Sequence, residues 1–435
     1  AAAFVLLFVP FGLPAPSYNT LGMCSLVGAL SVYADGAGQS STEGARHVFR
    51  RLAPSLWISA VWWAIACTAY PPLLALLIVL ILLVLILWRT RAERLLVARY
   101  AIACGSVLAG AFLLLCLTLG PSHLLEMLRF TNAFNNISGG VSGKLRTAID
   151  AWTAHPRFAL MCLAAVLLAG IRCLRASGRL LCDFALGLLV VGVAASDSPT
   201  FFSRTHDLVL LLAITGFCNA IRALVLSYVH NRHRVFAVIY VVSFIGGLTT
   251  AATAFNGLFN FPIGGLLAAG LALVLPDAAT VHSHISRLAS RLAVAALTCG
   301  AMAASAFTNY YGQIGTFSYR DAVRVPDGAF AGLLTDADQA AFIARMTEAI
   351  ERQRSCGNKF AVLGTGPGFY LMTAMFPTAL STWNYPGDAR NFATDAVKAF
   401  YDVASNRPDV LVVKNWQRGT ALSAPARGLL NNLVF

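Results

Sequence analysis

The sequence predicts a mainly α protein: a polytopic bundle of about eleven transmembrane helices, followed by a small extracytoplasmic α/β domain. Three observations predict it. Hydrophobic residues fill 58% of the 435 positions and charged residues only 12%, against roughly 25% charged in soluble domains. Apolar runs recur along the chain up to residue 308, and arginines crowd into alternate connections between them. A soluble core cannot absorb so much apolar sequence, so most of the chain belongs in a bilayer. The net charge of +13 then reads as a topology signal, and no nucleic-acid partner is expected.

The runs lie near 1–12, 17–34, 54–69, 72–88, 95–119, 158–171, 180–195, 206–228, 235–253, 258–275 and 288–308. The first is short and opens without Met or a basic segment, unlike a signal peptide. The expectation is a first span cut short, with the true N-terminus upstream. As one helix, 54–88 would rise roughly 50 Å, well beyond a bilayer core. Pro71-Pro72 breaks it, so it reads as a hairpin turning at Tyr70-Pro71-Pro72. With that turn counted, fifteen Arg residues fall in one set of connections and five Lys or Arg in the other: Arg129, Lys144, Arg146, Arg157 and Arg204. The positive-inside rule places the first set in the cytoplasm of a plasma (inner) membrane, and the C-terminal tail outside.

The domain division expected is 1–308 for the helix bundle, with an outer interfacial loop at 120–157, and 309–435 for the tail. In the loop, Leu124, Leu125 and Leu128, then Leu145, Ile149 and Trp152, recur at helical spacing and suit short helices on the membrane interface or packed on the bundle. Nine of the ten Cys lie in or beside apolar runs, where they serve as small apolar residues. Asp183, the most embedded carboxylate, is expected to pair with Arg179 one turn away. In the tail, twelve cations against ten acids mark a change of solvent. "DADQAAFIARMTEAIERQR" and "NFATDAVKAFYDVASN" read as helices, the first capped by Asp336. "KFAVL" and "DVLVVK" read as strands, and the alternation suggests an α/β unit. Between strand and helix, "GTGPGF" resembles a phosphate turn, but it lacks the Lys-Ser/Thr of a P-loop and reads as a tight turn with Pro367 in the first turn of a helix.

Chemistry-bearing residues are sparse. "SDSPTFFSRTHDLVLL" gathers Arg204, His206 and Asp207 at one membrane edge: the arginine could hold a phosphate, and His206 or Asp207 could move a proton. A polar hairpin with an acid near a helix start explains the same residues. No His or Cys spacing would hold a metal, so no cofactor or divalent cation is indicated.

Three stretches carry a resemblance: "APSYNTLGMCSLVGALSVYADG" (15–36), "WWAIACTAYPPLLALLIVL" (62–80) and "KFAVLGTGPGFYLMTAMFPTALSTW" (359–383). Their many-span bundle and exported tail resemble the GT-C-type polytopic membrane glycosyltransferases, of the polyprenyl-phosphate-sugar-dependent, dolichyl-phosphate-mannose mannosyltransferase-like kind. The resemblance implies transfer of a sugar from a polyprenyl-phosphate-linked donor to a glycan or lipid acceptor outside the cytoplasm. It implies active-face turns at Tyr18, Asn19 and Tyr70, with Tyr70 standing where such proteins commonly carry Lys, and Ser17-Tyr18-Asn19 where many begin with an acid. It makes Tyr370 and Pro377 family markers. It implies a catalytic carboxylate upstream of residue 1, and Arg204, Arg129, Lys144 and Arg146 as outer cations for the donor phosphate. The alternatives are a transporter or flippase of lipid-linked sugars, or a non-catalytic membrane assembly or sensor protein.

Overall fold

The structure, a computed structural model, describes residues 18–39, 45–87, 91–122, 124–125, 142–143, 146, 149–150, 153, 156–174, 179–195, 201–225, 231–253, 257–272, 292, 295–296, 298–300, 322–363, 367–379 and 400–413. It is mostly helical and divides into two compact units, Ala1–Ile314 and Gly315–Phe435. The described helices of the first unit are α1 (Tyr18–Gln39), α2 (Ala45–Ala69), α3 (Leu74–Leu87), α4 (Arg91–Leu119), α5 (Pro156–Leu174), α6 (Arg179–Ala195), α7 (Phe201–Val225), α8 (Asn231–Thr253) and α9 (Phe261–Ala272). They coincide with the apolar runs from 17–34 through 258–275. The runs at 1–12 and, for the most part, 288–308 lie outside the described residues, as do Leu128, Leu145, Trp152 and the Asp183 side chain.

Among the described residues three segments are long and apolar enough to cross a membrane: Arg94–Leu119, His206–Val225 and Arg234–Thr253. Shorter apolar segments are Pro54–Ala69, Pro71–Leu87, Pro156–Ile171 and Phe261–Ala272. The surface composition fits an apolar solvent. α4 exposes Ile102, Phe112, Leu113, Leu114 and Leu117, and α5 exposes Leu160, Leu163 and Leu167 along one stripe. A single 3-10 turn, Pro71–Leu73, separates α2 from α3 at the expected Tyr70-Pro71-Pro72 break. One boundary differs. α2 starts at Ala45, ahead of the apolar run, and continues through Pro54, which removes one backbone donor without ending the helix.

Cross-helix contacts fix direction. Ser59 Oγ donates to Ala29 O (2.8 Å), the Trp62 ring lies on Gly28, and Tyr70 lies on Gly22. Rising numbers on α2 meet falling numbers on α1, so the pair is antiparallel. α4 joins through Tyr100, whose hydroxyl accepts from Trp63 Nε1 (2.8 Å) and shares a 2.8 Å bond with Ser59 Oγ. All of these groups are buried, and the network satisfies them.

α8 and α9 are also antiparallel and approach to backbone contact. A Cβ on Gly264 would strike the Gly246 carbonyl group, and one on Gly247 would stand 2.5 Å from the Phe261 ring. Ser243 Oγ donates to Gly264 O (2.7 Å) and accepts from Ala268 N (3.0 Å). These are the carbonyl and amide that a regular helix pairs with each other, so a side chain of α8 is spliced into the ladder of α9. Every residue of α9 is buried. An apolar helix with no polar face belongs in such a centre. Gly216 of α7 completes the enclosure: a Cβ there would lie 2.6 Å from Tyr240 and 2.7 Å from Ala272.

The second unit has its own core of Val325, Ile343, Ile350, Phe360, Val362, Phe369, Met372, Met375 and Val410. A short antiparallel pair, β1 (Val323–Arg324) and β2 (Leu334–Thr335), precedes α10 (Ala337–Arg352). Asp336 caps α10 as expected, accepting from Gln339 N at 2.7 Å. β3 (Lys359–Leu363) is the central strand, with β4 (Phe376–Pro377) and β5 (Val410–Val413) parallel to it on either side. The expected strands at "KFAVL" and "DVLVVK" are β3 and β5. Gly364, Thr365 and Gly366 lie outside the described residues, as does most of "NFATDAVKAFYDVASN". Pro367 begins a 3-10 turn, Pro367–Leu371, rather than a helix. Beyond the short reach of β4, Tyr370 Oη accepts from Val362 N (2.9 Å) and completes that side of β3. Pro377 sits in the edge strand, where Phe376 N and Thr378 N donate to β3 and its own missing donor costs nothing.

Two outcomes are expected. Gly264→Ala should destabilise the bundle by about 1–3 kcal/mol through overpacking, whereas Gly105→Ala, which meets open space, should be neutral; unfolding of the purified protein in mixed detergent micelles measures both. Tyr370→Phe should cost about 0.5–1.5 kcal/mol by removing the hydrogen bond that Tyr370 Oη accepts from Val362 N. Burial pushes the Tyr370 phenol above its ordinary value of 10.0, against the Val362 N–H, which lowers it. Its folded-state pKa being raised, its contribution holds below pH 10 and is lost as pH climbs beyond that value, which the unfolding curve of the wild type should follow.

Candidate functional site at one end of the bundle

The alternation of direction gathers particular residues at one end of the bundle. α1 begins there with Asn19 on its first turn, and α2 ends there at Tyr70. Tyr70 packs on Gly22 and its hydroxyl reaches Thr250 O at 3.4 Å. Thr250 lies near the end of α8, and its Oγ1 donates to Asn260 O (2.8 Å), with Gly247 O at 3.0 Å. Asn260 closes the 3-10 turn Gly257–Asn260 and stands immediately before α9. Tyr70, Thr250 and Asn260 are therefore linked in one buried cluster, and Asn19, one turn before Gly22, is buried too.

α7 reaches the same end. It packs along α9 and also meets the 3-10 turn Gly257–Asn260. Gly216 faces Ala272. His206 and Asp207 lie in the second turn of α7. His206 is 3% exposed and Asp207 is half-buried. Cys162 of α5 lies within electrostatic range of Asp207. Among the described residues Asp207 has no ion-pair partner.

Two atoms in this region are anomalous. Asn19 Oδ1 and Asn260 Oδ1 are buried and accept no hydrogen bond, in residues only 7% and 4% exposed. Asn260 occupies the position from which Asn ordinarily caps a helix, yet its side-chain oxygen caps nothing. An unsatisfied buried acceptor costs about 1–3 kcal/mol, and such groups are few in native folds.

Of the residues singled out in the sequence, the structure joins Tyr70 to Thr250 and buries Asn19 one turn from Gly22, on which Tyr70 packs; His206 is buried and Asp207 half-buried on α7. Tyr18 and Arg204 are helical, and their side chains lie outside the described residues, as do Arg129 and Lys144 entirely. Arg146 is an exposed helical residue of the outer loop. Sequence reasoning missed Thr250 and Asn260. The signal was present in "NGLFNFP", a Gly turn followed by Asn one residue before Phe-Pro, a pattern that starts a helix. Among the described residues no three His, Cys, Asp or Glu gather as metal ligands. No family model, no curated protein and no solved structure matches the chain.

Because the two amides are unsatisfied in the fold itself, Asn19→Leu and Asn260→Leu should leave stability unchanged or raise it by about 1–2 kcal/mol. A buried Asn that served the fold would instead be missed on replacement. Thermal unfolding of each variant beside the wild type decides the matter.

Proposed function

We propose that this chain is a multi-pass membrane protein of about eleven spans, with its C-terminal α/β domain outside the cytoplasm, and that it transfers a sugar from a polyprenyl-phosphate-linked donor to a hydroxyl acceptor. The observation that supports the reading is a set of buried polar residues within an otherwise apolar bundle: the linked Tyr70, Thr250 and Asn260, with Asn19 on α1 and His206 and Asp207 on α7. The sidedness rests on the fifteen arginines assigned to the opposite connections. The exposed apolar faces of α4 and α5 suit lipid, and a lipid-linked donor would reach the site from that solvent.

The chemistry asked of the site is a displacement at the anomeric carbon. The acceptor oxygen forms a bond to that carbon as the bond to the carrier phosphate breaks. The acceptor's proton passes to a carboxylate, and the polyprenyl phosphate leaves as an anion. Asp207 is the carboxylate placed for the proton, unburdened by an ion pair among the described residues. His206 lies beside it. Arg204, three residues before Asp207, is the nearest cation in sequence for the departing phosphate.

Asp207→Asn should lower transfer by about 10²–10⁴-fold, the range of a general base, with little change in donor affinity; turnover of lipid-linked sugars by the purified protein in liposomes measures it. Wild-type protein that turns over no donor across a broad panel would remove the reading. Movement of the donor across the bilayer without transfer would put the flippase in its place. A reporter fused after residue 320 should be active only outside the cytoplasm, and cytoplasmic activity would invert the topology.

A further inference from the structure

The second unit has two unlike surfaces. The outer face of α10 is polar: Asp338, Gln339, Arg345, Glu348 and Arg352 are exposed along it, as on any helix that faces water. The β1–β2 hairpin is different. It exposes Val323, Leu333 and Leu334, and only Arg324 and Asp327 bring charge to its exposed positions. Its turn packs on the 3-10 turn Pro367–Leu371, with the Phe330 ring 3.5 Å from where a Cβ on Gly368 would stand. That neighbouring turn ends in Leu371, which is also exposed, and no residue from Gly368 to Ala379 is charged. Single surface leucines are ordinary. Four large apolar side chains on two touching segments make a patch of the kind that marks a contact with a protein or a membrane.

The chain's own connectivity selects between them. The hairpin is the first described element after the apolar run 288–308, and β1 starts fifteen residues beyond Thr308. Fifteen extended residues span at most about 50 Å, and a unit of this size has a radius of gyration of about 14 Å. A bilayer that holds the run stays within reach of the hairpin, which makes docking on it an intramolecular event. Arg324 suits the same solvent. It pairs across the ribbon with Leu334, so the two share one face, and its Nη1 lies 3.9 Å from where a Cβ on Gly332 would stand. An arginine laid along a leucine-bearing ribbon carries its charge to lipid phosphates while the apolar side chains pass below them. A second copy meeting this face symmetrically would instead bring the two Arg324 side chains towards each other.

We propose that the β1–β2 hairpin, with Leu371 beside it, is a lipid-docking surface: Val323, Leu333 and Leu334 enter the boundary between head groups and acyl chains, and Arg324 meets the lipid phosphates. The inference needs only a bilayer around the run 288–308. It is independent of the transferase reading and of the side of the membrane on which the unit lies.

The test uses the full chain in nanodiscs of mixed phosphatidylcholine and phosphatidylglycerol, with the photoreactive residue p-benzoylphenylalanine placed singly at Leu334, at Leu371 or at Glu348 on the polar face of α10. After irradiation, mass spectrometry identifies what each position has joined. Leu334 and Leu371 should carry lipid adducts at about tenfold or more the yield at Glu348, since burying a few leucines is worth more than one decade of binding. L333E/L334E should lower the lipid yield at Leu371 by about tenfold, and R324E should lower the yield at Leu334. Both variants should unfold as the wild type does, because the replaced side chains are exposed. Equal lipid yields at Leu334 and Glu348 overturn the proposal. A protein adduct at Leu334, to a second copy or to the same chain, overturns it too, by giving the face a protein cover. So does an undiminished lipid yield in either variant.

Discussion

The bundle depends on one contact: the backbone of α8 against the backbone of α9. In a bilayer no hydrophobic force draws helices together, because lipid tails are as apolar as leucine. Association rests on close packing and on polar groups shared between helices. Gly246 and Gly264 allow the close approach, and Ser243 supplies the shared bonds. The remaining neighbours take their places from this pair. Leu76 of α3 packs on Gly246, Gly216 of α7 packs on Ala272, and the Tyr70 hydroxyl meets Thr250.

The two units treat polar groups differently. In the tail, Asp409 Oδ2 accepts from Asn358 N and Lys359 N, Tyr401 donates to Thr378 O, and Tyr370 completes the ladder of β3. In the bundle, the Ser59–Trp63–Tyr100 network is likewise closed. Asn19 Oδ1, Ser25 Oγ and Asn260 Oδ1 break this pattern. Among the described residues Asp207 of α7 has no ion-pair partner.

Much of the fold was legible because its signals are local. Hydrophobic runs, the double proline, the Asp336 cap and the two strand runs each depend on a few neighbouring residues, and each has its counterpart in the structure. The site was legible only in part. His206 and Asp207 stood out as polar residues at a run end, Tyr70 as part of the double-proline turn, and Asn19 only through the family resemblance. Thr250 and Asn260 did not, since their meaning comes from the α8–α9 register, which is a matter of glycine-to-glycine fit over distance. Tyr370 and Pro377 were read as family markers. Their physical roles, a substitute rung and an edge position that needs no donor, follow from sheet pairing that spacing alone does not reveal.

The hydroxyl of Ser243 has a mechanical consequence. It holds one rung of α9 by both ends, so α9 cannot slide along α8 without losing two bonds at once and driving Gly264 into its neighbours. The two helices are geared to each other, like a tooth set in a rack. A push on Asn260 at one tip is then carried through the whole length of the pair, with Thr250 moving in step, and α8 and α9 answer a ligand as a single lever rather than as two.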